Sequence, residues 1–283
     1  MQKVLVAGAS GYLGGFVAQE FIKQGFWVRA LTRKASKLDN LTEFIDESFI
    51  GEVTNPDSLL GVCKDIDIVI SSIGITKQRD GFTYMDVDYQ GNMNLLNEAV
   101  RNGVNKFIYV SVLNGESLRH LKMVEAKERF VDELKSSGTD YSIIRPNGFF
   151  SDMTEIFNMA KKGKVYLFGN GEYKGNPIHG IDLAEFIVQN LQNPQKELSV
   201  GGPDILTQKE MAQAAFSAIT QKAKIVHIPL FIKTIALNLT RWFSGQKTYG
   251  PIEFFMTVMT MDMIAPKFGN HHLADYYKEV AQT

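Results

Sequence analysis

Short apolar runs alternate with amphipathic stretches along the first half of the chain. Val4 to Ala7 is an apolar run that ends in glycines at Gly8, Gly11 and Gly14. A helical pattern follows, with Phe16, Val17, Phe21 and Ile22 on one face, and Gly25 turns the chain into a second run, Trp27 to Leu31. Further strands are predicted at Ser48 to Ile50, Lys106 to Val110 and Tyr141 to Arg145, and at Ile66 to Ile70, whose β-branched run marks a buried parallel strand. Asn55-Pro56-Asp57 starts a short helix, proline suiting its first turn. Long helices are predicted over Tyr84 to Asn102 and Leu118 to Ser137, ended by Gly103 and Gly138. Strands alternating with helices of this length predict an α/β fold built on a doubly wound parallel sheet. Right-handed crossovers then place helices on both faces.

The second half is less regular. Helices are predicted over Ser151 to Lys162, from Asp182 as a cap to Leu191, and after Thr207, with Glu210 completing a capping box. Val165 to Phe168, Leu198 to Val200 and Ile225 to Ile228 are predicted strands. Two apolar helical stretches, Pro229 to Phe243 and Ile252 to Met263, close the chain. We expect residues 1–150 to form a cofactor domain, and residues 151–283 a smaller C-terminal substrate lobe intermingled with it. No internal repeat, low-complexity tract or linker is seen.

The first strand, glycine turn, helix and second strand form one unit, the context in which a glycine fingerprint means dinucleotide binding on a Rossmann-type sheet. Gly8 permits the tight turn, Gly11 lets the backbone approach a pyrophosphate, and Gly14 lets the helix pack close to the strand. Free N–H groups at the helix start, around Ser10, Tyr12 and Leu13, hold the anion. An NAD site usually carries an acid at the end of the second strand. Here Arg33 stands there, with Lys34 and Lys37 close behind and no acid before Asp39. A guanidinium suits a 2′-phosphate, so NADP(H) is favoured over NAD(H); an ordinary solvated basic turn gives the same pattern.

Composition narrows the classes. The chain has 283 residues, 45% of them hydrophobic, and a net charge of −1. A sizeable core is available, and nothing argues for a nucleic-acid partner. The single cysteine, Cys63, cannot form an internal disulfide and reads as a small buried residue. A cytoplasmic location is expected, because the first strand begins at once and leaves no room for a signal peptide. No apolar run is long enough to span a membrane. Leu230 to Phe243, with Lys233, Arg241 and Trp242, is compatible with a lipid surface, but it is apolar nearly all round, as buried helices are. No metal-ligand spacing appears, and His271 and His272, being adjacent, point to different faces. The oligomeric state is not legible.

In an open parallel sheet, ligands bind beyond the carboxyl ends of the strands. The candidates there are Gly8 to Gly14, Arg33, Ser71 to Gly74, Ser111 to Asn114 and Arg145 to Phe150. Ser72 and Gly74 form a small-residue turn able to admit a ribose or nicotinamide.

Four segments carry a family resemblance: Gly8-Ala9-Ser10-Gly11-Tyr12-Leu13-Gly14, Phe107-Ile108-Tyr109-Val110-Ser111, Glu125-Ala126-Lys127, and Ile143 to Phe150. Over about residues 3–230 the chain resembles the short-chain dehydrogenase/reductase superfamily. Asp88-Tyr89-Gln90-Gly91-Asn92, Arg145-Pro146-Asn147-Gly148-Phe149-Phe150, Phe168-Gly169-Asn170-Gly171 and Gly201-Gly202-Pro203 look like the atypical, NmrA-like branch and its divinyl chlorophyllide 8-vinyl reductase group. The resemblance implies an NADP(H)-dependent oxidoreductase acting on an apolar small molecule, or a non-catalytic NADP(H)-binding regulator or assembly factor.

In that superfamily a Tyr four residues before the Lys commonly serves as acid or base, and the Lys lowers its pKa and hydrogen-bonds the nicotinamide ribose. The matching position here is Met123, which cannot transfer a proton, whereas Lys127 is present. Lys127 is thus expected as acid/base or cofactor-orienting residue, with His120, Tyr84 and Tyr89 as other proton sources. Ser111 matches the superfamily's serine region and is expected as catalytic; a strand-end hydroxyl bonding the backbone is the plainer role. Pro146, Asn147 and Phe149 are expected at the nicotinamide end and Arg145 as a structural contact. His179 is a pocket candidate and Asp182 a cap. Phe149, Phe150, Met153, Phe157 and the helices from Leu230 onward would supply an apolar wall, although such stretches are ordinary core by default.

Overall fold

The computed structural model describes residues 1–34, 36, 38, 45–75, 81–233, 235, 237 and 246–282, with only the backbone given at 246–248. Lys37, Asp39, Arg241 and Trp242 lie outside these residues. The strands are β1 (Lys3–Ala7), β2 (Trp27–Thr32), β3 (Glu47–Ile50), β4 (Ile68–Ser71), β5 (Lys106–Val110), β6 (Asp140–Pro146), β7 (Val165–Phe168), β8 (Lys174–Gly175), β9 (Glu197–Val200), β10 (Leu206–Thr207) and β11 (Ile225–Ile228). The helices are α1 (Tyr12–Lys23), α2 (Asn92–Arg101), α3 (Lys122–Ser136), α4 (Phe150–Lys161), α5 (Gly180–Gln189), α6 (Gln208–Ala218), α7 (Gln246–Val258) and α8 (Leu273–Gln282).

Seven strands form one sheet in the order β3-β2-β1-β4-β5-β6-β9, and the pairs from β3 through β6 are parallel. The order reverses between β1 and β4, the switch point where open sheets take ligands. The cause is local. β1, β2, β4 and β5 are buried almost throughout, so both faces need cover. On one face Leu5, Ala7, Val69, Phe107, Tyr109 and Ile143 meet Leu95, Leu96 and Ala99 of α2 and Phe130, Val131 and Leu134 of α3. Alternate positions Val4, Val6, Ile70 and Ile108 are buried as well, and α1 packs against β1 and β2. This is the expected Rossmann-type architecture.

The chain divides into two compact units: Met1–Arg145 with Leu183–Leu198, and Pro146–Asp182 with Ser199–Thr283. The first boundary falls five residues before the expected one, since 150 − 145 = 5, and residues 183–198 return to the first unit. In the second unit Phe150, Ile156 and Phe157 of α4 pack with Met211, Ala215 and Phe216 of α6 and Leu273 and Tyr277 of α8. Phe150 and Phe157 are therefore core, not the apolar wall of a pocket. Asn176 ties distant segments together. Its amide donates to Gly202 and Ala265 carbonyls, and its oxygen accepts from Ala265 N and Asn147 Nδ2.

Several expectations need correction. The long helix from Tyr84 is a seven-residue π-helical turn, Met85–Gly91, running into α2. α3 begins at Lys122, after turns through residues 113–120, rather than at Leu118. The last apolar helix spans Gln246–Val258, not Ile252 to Met263. Leu230, Phe231, Ile232 and Ile235 are exposed, Phe231 by 64%, and so are not the buried face that their composition suggested. No helix among the described residues is long and apolar enough to cross a membrane. Cys63 is buried, and burial pushes its thiol up to about 12, which makes it inert at neutral pH.

Candidate functional site

The turn between β1 and α1 is built from what its glycines lack. Gly8 has φ +90, and a Cβ there would lie 2.8 Å from Ser72 Oγ at the end of β4. Gly11 N donates to the Gly8 carbonyl at 2.9 Å, which closes the turn. Any side chain on Gly14 would drive into that same carbonyl and into the backbone of Ala9. Gly11 is the N-cap of α1, no side chain among the described residues caps it, and no acid stands in the first turn. A helix start of this kind suits an anion, and Ser10, Gly11 and Tyr12 are exposed there with Leu13 buried beneath. These features fit a dinucleotide.

Arg33 is exposed at the end of β2, and its Nη1 lies 3.8 Å from Glu52 Oε1, just past β3. The linear reading found no acid here; the neighbouring strand brings one. The pair is loose and solvated, so its hold on Arg33 is weak.

A second cluster lies in the same unit, around Lys127. Its Nζ stands 3.0 Å from Asp88 Oδ1, at an angle that falls short of a hydrogen bond. Asp88 is fully buried in the π-helical turn, while 14% of the Lys127 side chain remains exposed. Asp88 Oδ2 accepts from Ile75 N at 3.1 Å. Asn92, one turn on, donates to the Asp88 carbonyl, and its side-chain oxygen accepts from the Ser71 hydroxyl at 2.5 Å. Gly74 closes the cluster: a Cβ there would lie 2.6 Å from both Asp88 Oδ1 and Lys127 Nζ. The Tyr109 ring centroid is 5.7 Å from Nζ, and its hydroxyl is buried. Burial opposes the Lys127 charge, but Tyr109 and Asp88 outweigh it and hold the ammonium above its ordinary pKa. Burial likewise pushes the Tyr109 phenol up. Met123, one turn before Lys127, is buried.

Ser111 is differently engaged. Its hydroxyl donates to Glu128 Oε1 at 2.7 Å, and Glu128 is fully buried and gripped by both terminal nitrogens of Arg145 at 2.7 and 2.9 Å. Arg145 also reaches Glu197. Its structural role is as expected. The hydroxyl of Ser111, expected to serve catalysis, donates to a side chain rather than to the backbone. Ser72 Oγ donates to the Ala7 carbonyl at 3.2 Å. Tyr84 is buried, Tyr89 donates to Glu133, and His120 is exposed.

Pro146, Asn147 and Phe149 belong to the second unit. The Asn147 amide donates to Asn176 Oδ1 and the Met263 carbonyl, and its oxygen accepts from Gly148 N. Asn147 is thus a structural tie. Half-buried Phe149 is the N-cap of α4, its N–H held by Asp152.

Asp182 is not the expected simple cap. Its carboxylate accepts from His271 N at 3.1 Å and pairs with His271 Nδ1 at 2.6 Å. His271 stacks on His179 with centroids 4.5 Å apart, and His272 turns instead to Asp204. Half-buried His179 is held below its ordinary pKa of 6.5, by burial first and by His271 second, against Asp182 and Glu279. An unfolded histidine takes up its proton near that value and folded His179 only at lower pH. Stability is therefore lost as pH falls through about 6.5. Thermal melts from about pH 7.5 down to 5.5 should show this loss shrinking in His179→Asn, whose amide oxygen can still accept from Ile181 N as Nδ1 does at 3.2 Å.

Asp88, Glu52 and Tyr109 escaped sequence reasoning as site residues. A signal for Asp88 existed: Asp88, Asn92, Leu95 and Ala99 follow helical spacing, and all four are buried. Polar residues at apolar-face positions mark a site.

Comparison with known proteins agrees with this geometry. Residues 8–194 match the NAD(P)H-binding family. The chain is 28% identical over 244 residues to the photosystem II assembly factor Ycf39 of Guillardia theta, covering 85% of this chain and 77% of that protein. It is 28% identical over 297 residues to the chloroplastic divinyl chlorophyllide a 8-vinyl-reductase of Cucumis sativus, covering 95% and 71%. The binary complex of leucoanthocyanidin reductase with NADPH from Vitis vinifera shares the fold, with TM-score 0.78, 16% identity and coverage of 99% of this chain and 100% of that one. With its glycine turn and its switch point, this chain belongs to the NAD(P)H-binding family.

Proposed function

We propose that the chain is an NADP(H)-dependent reductase of the NmrA-like branch, acting on an apolar small molecule in the cytoplasm. The observation that carries this reading is the uncapped start of α1 beneath a turn that only glycine can form at Gly8 and Gly14. In this reading Gly8, Ser10, Gly11, Tyr12, Leu13 and Gly14 hold the pyrophosphate through backbone N–H groups. Arg33 leaves Glu52 for the 2′-phosphate, a better bidentate partner. Ser72 and Gly74 give the ribose and nicotinamide room. Lys127 donates to the ribose hydroxyls. Tyr109 and Asp88 hold its ammonium above its ordinary pKa, which suits a hydrogen-bond donor that orients the ribose. Ser111 acts at one remove, by keeping the Glu128–Arg145 pair in register. Pro146, Asn147 and Phe149 enter on the resemblance alone, Asn147 as a structural tie. The cofactor, when bound, supplies a hydride.

Arg33→Ala should weaken NADPH binding about tenfold or more and leave NADH binding unchanged in isothermal titration. Equal losses for both would remove the argument for a phosphate preference.

A second reading is a non-catalytic NADP(H)-binding assembly factor. Met123 in place of the usual Tyr favours it, as does the similarity to an assembly factor. NADPH oxidation in the presence of conjugated vinyl or enone compounds separates the two. Turnover that vanishes in Lys127→Ala at saturating NADPH supports the enzyme; no turnover across the panel supports the factor.

A further inference from the structure

The helical turn that follows β11 presents its apolar side to solvent. Phe231 is exposed by 64%, Ile235 by 52% and Ile232 by 40%. At about 100° per residue, these three side chains share an arc of roughly 100°. The other side of the turn carries half-buried Lys233, whose ammonium donates to Thr260 Oγ1 at 2.6 Å, just beyond α7. The turn is thus tied down through its polar residue and leaves its apolar ones unpacked, the inverse of a core helix. α7, which leads into Thr260, is little better covered. Ile252, Phe254, Met256 and Val258 are half-buried, and Phe255 is exposed by 43%. None of these residues joins the core of α4, α6 and α8. Single exposed apolar side chains are ordinary, but a run of them marks an interaction surface.

Charge identifies the occupant. No acid stands between Glu210 and Glu253, whereas Lys222, Lys224, Lys233, Arg241 and Lys247 do, in a chain whose net charge is −1. Lys222 and Lys224 are exposed and have no ion-pair partner among the described residues. A second copy laid on this face by two-fold symmetry would set these unopposed bases against themselves, and like charges so placed repel. A bilayer bearing anionic lipid answers both features. Its headgroups attract the bases, and its acyl boundary takes the apolar side chains. We propose that the surface around Phe231 docks the protein peripherally on such a bilayer: Phe231, Ile232 and Ile235 enter the headgroup–acyl boundary, and Lys222 and Lys224 meet the lipid phosphates. No helix among the described residues is long and apolar enough to cross, so the segment lies on the membrane. The inference is independent of the nucleotide reading.

The test is co-sedimentation of the full chain with vesicles of phosphatidylcholine, with and without phosphatidylglycerol. Binding is expected where phosphatidylglycerol is present, and it should weaken as salt rises, because exposed charges are screened. Phe231→Ser combined with Ile235→Ser should cut partitioning about a hundredfold, about tenfold for each lost apolar side chain. Lys222→Gln combined with Lys224→Gln should cut it about tenfold or more. All four positions are exposed, so thermal stability should hold. Absence of sedimentation with either vesicle overturns the proposal, as does unaltered sedimentation of the double serine variant. Equal binding to both vesicles overturns the role given to the bases. Light scattering of the free protein reads out the other occupant. A dimer that the serine variant dissociates, without vesicle binding, assigns the face to a second copy and overturns the proposal. Should the serine variant not fold, Ile235→Cys labelled with an environment-sensitive dye takes its place, since buried Cys63 does not compete for the label. A blue shift on phosphatidylglycerol vesicles supports immersion, and no shift overturns it.

Discussion

Gly14→Ala should abolish NAD(P)H binding and destabilise the protein by about 1–3 kcal/mol, the usual cost of forcing atoms into a packed site. The single added methyl falls on the Gly8 carbonyl and the Ala9 backbone, neither of which can rotate away as a side chain would. The Gly8 carbonyl is also the acceptor that closes the turn through Gly11 N. Relief of the clash therefore moves α1 off β1 and opens the turn at once. Gly25→Ala is a control: Gly25 also has positive φ, +82, but a Cβ there meets nothing within 4 Å. It should cost some stability through backbone strain and leave nucleotide binding intact. Urea denaturation and nucleotide titration of both variants check this. Gly14→Ala with unaltered affinity would show that the turn is structural only.

Glu128→Ala should be the most destabilising single change in the first unit, at about 3–5 kcal/mol. Glu128 is fully buried and receives three hydrogen bonds, one from Ser111 and two from Arg145. Its removal leaves a largely buried guanidinium with Glu197 as its remaining ion-pair partner among the described residues and the Val112 carbonyl as a neutral acceptor. Glu128→Leu combined with Arg145→Met should recover much of the loss, because an apolar pair of similar volume needs no charge compensation. A loss below about 1 kcal/mol in denaturant unfolding would mean that the network behaves as a surface pair.

The central sheet was largely legible because β1, β2, β4 and β5 are buried almost throughout. Lys106–Val110, Val165–Phe168 and Ile225–Ile228 run as their apolar stretches predict. The Thr207–Glu210 capping box is present as read. The glycine turn was legible for the same reason: its chemistry is local. What escaped depends on partners far along the chain. Glu52 meets Arg33 across neighbouring strands. His271 reaches Asp182 over 89 residues, and Asn147 reaches Met263 over 116. No spacing rule exposes such pairs. Lys127 and Glu128 make the same point at closer range. As neighbours on α3 they read as one charged, solvated stretch, but a turn of about 100° per residue sends them to different buried partners. Lys127 faces Asp88 and Tyr109, and Glu128 faces Ser111 and Arg145. The exposure of Phe231 and its neighbours escaped because an apolar helix reads as buried whenever nothing local says otherwise.

The central claim is that the turn from Gly8 to Gly14 holds a dinucleotide and that Arg33 prefers the phosphorylated one. Side-by-side isothermal titration of the full chain with NADPH and NADH tests it most directly. The account predicts saturable one-to-one binding of NADPH, with NADH weaker by about tenfold or more. Binding of neither nucleotide would contradict it outright, and tighter binding of NADH would overturn the role given to Arg33.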